Sequence, residues 1–176
     1  MKRTNTKFEG LFVFEPTIHK DSRGYFMESF KANVMEEIHF IQDNEVSSTY
    51  GVIRGLHYQD PPFAQTKLIR VINGSILDVA VDLRAESETF GKVFTKRISA
   101  NEKQQVLIPK GFAHGYAVLS KEATVLYKVD SYYNKEADKG IFYDDLGINW
   151  SIPLAERKLS EKDLKQPSFR DIKSPF

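Results

Sequence analysis

Residues 67–83 read KLIRVINGSILDVAVDL, two apolar runs at Lys67 to Ile72 and Ser75 to Leu83 with Asn73-Gly74 between them. Short runs rich in β-branched and aliphatic residues suit a pleated, partly buried surface better than a helix. Asn-Gly tolerates the positive φ angles of a tight turn, so the stretch predicts a β-hairpin. Working outward, similar runs recur at Phe8 to Phe14, Tyr25 to Phe30, Val93 to Ile98, Gln105 to Ile108, Tyr116 to Leu119 and Thr124 to Val129. Two segments read as helix. Val34, Met35 and Ile38 share a face within Ala32 to His39, and Ser160 stands as an N-cap residue before Glu161, Lys162 and Asp163. Many closely spaced strands without alternating long helices predict an all-β sandwich or barrel with short helical additions.

A chain of 176 residues, 41% apolar, is long enough for one sizeable core. No linker, repeat or low-complexity tract divides it, so a single domain over 1–176 is expected. Lys and Arg number 25 against 24 Asp and Glu, a net charge of +1 that gives no broad field for nucleic acid. The absence of cysteine removes disulfides, thiolate metal ligands and a cysteine nucleophile. No stretch approaches the ~18 apolar residues of a membrane span, and no apolar run follows the basic N-terminus. A cytoplasmic protein without a membrane partner is expected.

The densest polar cluster lies in GVIRGLHYQDPPFAQTK, residues 51–67, where Arg54, His57 and Lys67 stand among apolar and turn residues. The odd separation of Arg54 and His57 would put them on opposite faces of a strand unless a bulge or bend intervenes, which Gly55 can supply. In one reading His57 is a base, Lys67 faces a developing oxyanion and Arg54 grips phosphate. In the other, a buried hydrogen-bonded histidine accompanies two solvated cations. Spacing leaves both open. In IPKGFAHGYAVL, residues 108–119, His114 lies between Phe112 and Tyr116, where a structural histidine is the commoner outcome. A metal needs three or four convergent ligands, yet His57 is followed by Tyr58-Gln59, which argues against one. Asp21 and Arg23, and Gln42 to Asn44, are consistent with ordinary turn chemistry, and Tyr127 with core packing.

Taken together, DSRGYFMESF, QDNEVSS, GVIRGLHYQDPPFAQTKLIRV, DVAVDLR, the Ser87 to Gly91 set S-x-T-F-G, IPKGFAHGYAVL and LYKVDSYY closely resemble, in order, the dTDP-4-dehydrorhamnose 3,5-epimerase family. The resemblance spans Gly10 to Asp163. It implies a cupin-type jelly roll without metal or cofactor, usually a homodimer in which strands are exchanged. It further implies conversion of dTDP-4-keto-6-deoxy-D-glucose to dTDP-4-keto-L-rhamnose, in dTDP-L-rhamnose biosynthesis, through proton abstraction, an enolate and reprotonation at C3 and C5. By the same resemblance His57 is the base, Asp163 in LSEKD orients it, Lys67 faces the C4 oxygen, and Tyr127 is the acid on the other face. Arg23 and Arg54 match anion-binding positions. Glu28, Gln42, Asp43, Asn44, His114 and Lys162 match substrate-lining positions, with Tyr132 or Tyr133 near the sugar or pyrophosphate. Asp138 falls where the family often carries Glu, one methylene longer. Two alternatives stand beside this: a single-centre epimerase inverting C3 or C5, and a non-catalytic sugar-nucleotide-binding cupin.

Overall fold

The computed structural model describes residues 1–35 and 38–176. In chain order the strands are β1 (Lys2–Asn5), β2 (Phe12–Glu15), β3 (Ile18–Asp21), β4 (Gly24–Met27), β5 (Gln42–Thr49), β6 (Ile53–Gln59) and β7 (Lys67–Asn73). There follow β8 (Ser75–Asp82), β9 (Val93–Ser99), β10 (Gln105–Ile108), β11 (Phe112–Val118), β12 (Glu122–Val129) and β13 (Asp138–Gly140). A six-stranded sheet has the order β1-β2-β10-β7-β12-β5, and a five-stranded sheet the order β13-β6-β11-β8-β9. The hairpin of β3 and β4 forms a separate two-stranded sheet. The all-β expectation holds.

From β5 to β13 the chain changes sheet at every connection except β8 to β9, which is the interleaving of a jelly roll. This overturns the hairpin expected at Asn73-Gly74. β7 pairs with β10 and β12, whereas β8 pairs with β11 and β9. Gly74 does adopt a positive φ, +74°, but it turns a corner between sheets. A Cβ there would fall 2.1 Å from the Glu122 carbonyl oxygen. Turn chemistry reports a bend, while the choice of partner depends on which faces must be buried.

Alternation sorts the side chains into three layers. Ile69 and Val71 of β7 point between the sheets with Ile76, Val106, Val125 and Phe112. Leu68, one residue out of phase, packs outside with Phe14, Met35 and Leu107. Beyond the five-stranded sheet, Leu77, Val79 and Val81 of β8 are covered by Ile141, Trp150 and Ile152. Trp150 is fully buried and its indole N–H donates to the Tyr143 carbonyl at 3.1 Å, so its area is hidden without orphaning its polar atom.

The helix expected over Ala32 to His39 is a 3₁₀ turn at Ala32–Val34, with residues 36 and 37 outside the described set. Lys31 ahead of it offers no capping hydrogen bond. The apolar side chains at Val34, Met35 and Ile38 still pack against the outer cluster. The expected N-cap at Ser160 is found: its Oγ accepts from the Asp163 N–H at 3.1 Å and starts α1 (Glu161–Leu164). Among the described residues no helix is long and apolar enough to cross a membrane.

Candidate active site

In the β6–β11 ladder, His57 lies opposite His114 and Arg54 opposite Tyr116, so three steps along β6 match two along β11. The extra residue is a bulge. Gly55, at φ +109°, lies within it, and a Cβ there would come 2.6 Å from the His114 carbonyl oxygen. The bulge cancels the odd spacing, and Arg54 and His57 reach the same face. That face looks into a cavity of about 510 Å³ between the sheets. Arg54, His57, His114 and Tyr116 line it from the five-stranded sheet; Lys67, Val125 and Tyr127 line it from the six-stranded one. Ser160, Lys162 and Asp163 close one side.

His57 Nε2 lies 2.5 Å from Asp163 Oδ1, although the residues are 106 positions apart. The cap at Ser160 sets the first turn of α1 so that Asp163 enters the protein, where it is 4% exposed. Burial opposes ionisation of Asp163, but the His57 hydrogen bond and charge, with Ser160 and Lys162, outweigh it and hold the carboxyl below its ordinary value. A carboxylate at Nε2 fixes that nitrogen as the N–H and leaves Nδ1 with the lone pair.

Across β8 and β11 a second histidine–carboxylate pair forms, His114 Nε2 to Asp78 Oδ1 at 2.7 Å. Burial pushes the His114 imidazolium down, Asp78 opposes this, and the Lys67 and His57 charges add to it. His114 is thus a cavity residue tied to a buried acid, combining the structural and functional readings. Lys67 is partly accessible from the cavity, yet protein crowds its ammonium and lowers it to about 8 against the opposing charges of Asp138 and Asp78. Burial raises the Tyr127 phenol, which Arg54 partly offsets.

Other expected site residues lie outside this cavity. Arg23 pairs with Asp21 at 2.6 Å, its side chain 87% exposed, and Glu28 pairs with Lys31. On β5, Gln42 donates to Asn44 at 2.7 Å on the face that also carries Val46 of the cavity, whereas Asp43 alternates outward and holds Lys128. Tyr132 and Tyr133 are both exposed. Tyr133 Oη donates to Asp138, which also pairs with Lys162, so Asp138 joins β13 to the cavity wall. The sequence reading gives no role to Tyr116, which lines the cavity, or to Asp78, which is fully buried behind it and holds His114. Asp78 left one signal, an acid inside an apolar strand. Among the described residues no three His, Asp or Glu side chains converge as a metal site would require.

A jelly-roll barrel whose cavity sets a histidine–carboxylate dyad against a lysine and a phenol is equipped for proton transfer by its own side chains. Residues 5–171 match the family described as dTDP-4-dehydrorhamnose 3,5-epimerase, and the chain belongs to that family. It is 46% identical over 176 residues to the dTDP-4-dehydrorhamnose 3,5-epimerase of Shigella flexneri, with 97% of each chain covered. The crystal structure of the enzyme of that name from Elizabethkingia anophelis superposes with a TM-score of 0.93 at 46% identity, covering 97% of both chains. A Legionella pneumophila epimerase solved in complex with dTDP-4-keto-L-rhamnose gives 0.92 at 42% identity, covering 98% of this chain and 94% of that one. The architecture is accordingly the cupin-type jelly roll that the resemblance implied.

Proposed function

We propose that this chain is a cofactor-independent isomerase that inverts C3 and C5 of dTDP-4-keto-6-deoxy-D-glucose, giving dTDP-4-keto-L-rhamnose. The observation that carries the reading is the placement of His57 and Tyr127 on facing sheets of one cavity, with Lys67 beside them. His57 takes the proton from carbon next to the C4 carbonyl, and the C–H electron pair moves into the carbonyl to leave an enolate. Asp163 stabilises the imidazolium so formed. Lys67 faces the C4 oxygen, where negative charge grows. Tyr127 then gives a proton to the opposite face of the carbon; His57 afterwards releases its extra proton to water and Tyr127 takes one back, which restores both groups. Arg54 and Lys162 hold the diphosphate, whose binding energy orients the ring. Incubation with dTDP-4-keto-6-deoxy-D-glucose in deuterated water tests the reaction. Deuterium at both C3 and C5 with both centres inverted is expected; deuterium and inversion at one centre would establish a single-centre epimerase, and no deuterium would leave only a binding protein.

The same reading includes a cytoplasmic homodimer of single-domain chains. The β3–β4 hairpin joins neither large sheet, and it presents Phe26 at 66% and Tyr25 at 53% exposure. Exchange of such a segment with a second copy hides that apolar area and offers Arg23 and Glu28 to the partner's cavity.

Arg54 and Lys67 are expected to separate under mutation. Arg54→Ala should weaken dTDP binding by about tenfold or more, since it removes a phosphate fork and leaves both proton-transfer groups in place. Lys67→Ala should slow turnover and spare dTDP affinity; titration showing the reverse division would contradict both assignments. The Lys67 cation also sets an alkaline limb. In the free enzyme it loses its proton as pH rises through about 8, so kcat/KM should fall above that point. A flat profile of kcat/KM to pH 10 would show that the cation is not required.

A further inference from the structure

The inner face of β11 carries a polar atom for which the reaction just described has no use. Tyr116 is 5% exposed, and its ring packs in the inter-sheet core with Ile69, Val71 and Val125. Its residue also lines the cavity. Among the described residues its hydroxyl makes no hydrogen bond of ordinary geometry, and Ser48 is the neighbouring side chain that can donate to its oxygen, which leaves the phenol's own proton without an acceptor. Phenylalanine would supply the same packing, and a buried unpaired hydroxyl costs about 1–3 kcal/mol. Packing therefore accounts for the ring and not for the oxygen.

The neighbours of that oxygen indicate what could satisfy it. Arg54 is the cross-strand partner of Tyr116, and Arg54 Nε donates to Ser48 Oγ at 3.1 Å. The terminal N–H groups of Arg54 have no acceptor among the described residues, so an incoming anion has them available. Burial pushes the Tyr116 phenol up to about 12, opposed by the Arg54 charge and by hydrogen bonding from Ser48 to its oxygen, so near neutral pH it keeps an O–H that can donate. A guanidinium and a phenol that both need acceptors stand side by side on one wall. In the free chain the hydroxyl is enclosed, and the long, exposed Arg54 side chain is the adjacent group free to shift towards an anion.

We propose that Tyr116 is a further substrate-binding residue, its phenol donating a hydrogen bond to an oxygen at the sugar-phosphate end of the ligand that Arg54 holds. This rests on the nucleotide-sugar reading above and extends it to a residue that reading did not include. The contact belongs to the bound ground state, so Tyr116 adjusts affinity and leaves proton transfer to His57 and Tyr127.

Tyr116→Phe tests it, because it removes one oxygen and keeps the ring. Calorimetric titrations of wild type and variant with dTDP and with unreactive dTDP-glucose, together with thermal melts of the free proteins, give the readouts. The expected result is a loss of affinity on the order of tenfold, with a melting temperature equal to or above that of wild type, since the unpaired hydroxyl is gone. Weakening with both ligands places the acceptor on the phosphate; weakening with dTDP-glucose alone places it on the sugar. Affinities for both ligands within twofold of wild type would overturn the proposal while leaving the proposed function intact. If wild type bound neither ligand, the nucleotide-sugar reading would fail, and this inference with it.

Discussion

His57→Ala is expected to reduce both deuterium exchange and epimerisation by ~10²–10⁴-fold, the range associated with a positioned general base. The residue combines the features that task needs: a cavity-facing imidazole and a buried carboxylate 2.5 Å from Nε2. Asp163→Ala should cost less. The imidazole would survive, but its tautomer would no longer be fixed and the imidazolium formed on proton abstraction would lose its counter-charge. Rates measured by NMR in deuterated water, with circular dichroism to verify folding, give the comparison. Full activity in folded His57→Ala would remove it as the base. An Asp163→Ala variant slower than His57→Ala would mean that the carboxylate does more than orient.

The parts of this protein that its sequence made legible are the strands whose side chains pack among apolar neighbours on both faces. The apolar run at Gln105 to Ile108 coincides with β10, and those at Lys67 and Ser75 differ from β7 and β8 by one residue at their ends, because their apolar residues are buried among other apolar residues. β5 carries no such mark, for the converse reason. Its inward positions include Gln42, Asn44 and Ser48, polar because that face borders the cavity, so no apolar alternation marks it. Asn73-Gly74 announced a bend correctly but carried no information about pairing, which depends on strands more distant in sequence. In the site, the partnership of His57 with Asp163 spans 106 positions and no local spacing encodes it; the family resemblance named it, and the Ser160 cap supplied a local reason for the helix that delivers it. Gly55 was a legible bend, but only the ladder shows that it brings Arg54 and His57 to one face. Tyr116 had no assigned role because an unpaired hydroxyl is a property of its surroundings, and the sequence shows only an aromatic on a strand.

Tyr127→Phe is expected to separate two events that the wild-type enzyme joins. If the phenol only packs, the variant should keep its activity, since the ring survives and removal of a hydroxyl at the cavity edge costs little. Its position argues otherwise. Tyr127 lines the cavity from β12, on the sheet facing the one that carries His57, and burial raises its phenol so that it holds its proton at neutral pH. Inversion requires the proton to return on the face opposite the one it left, and a group on the facing sheet meets that requirement. Without the phenol, His57 can still abstract a proton and form the enolate over Lys67, and it can return a proton, now exchanged with solvent, to the original face. Deuterium should therefore enter substrate of unchanged configuration, while inversion falls by ~10²-fold or more, the scale of losing a positioned acid. Following deuterium content and product stereochemistry in the same sample reads both events. Inversion at the wild-type rate would show that Tyr127 is packing and that water or another side chain supplies the proton. Loss of exchange and inversion to the same extent would instead place Tyr127 in enolate formation, and the opposed-face assignment would have to be abandoned.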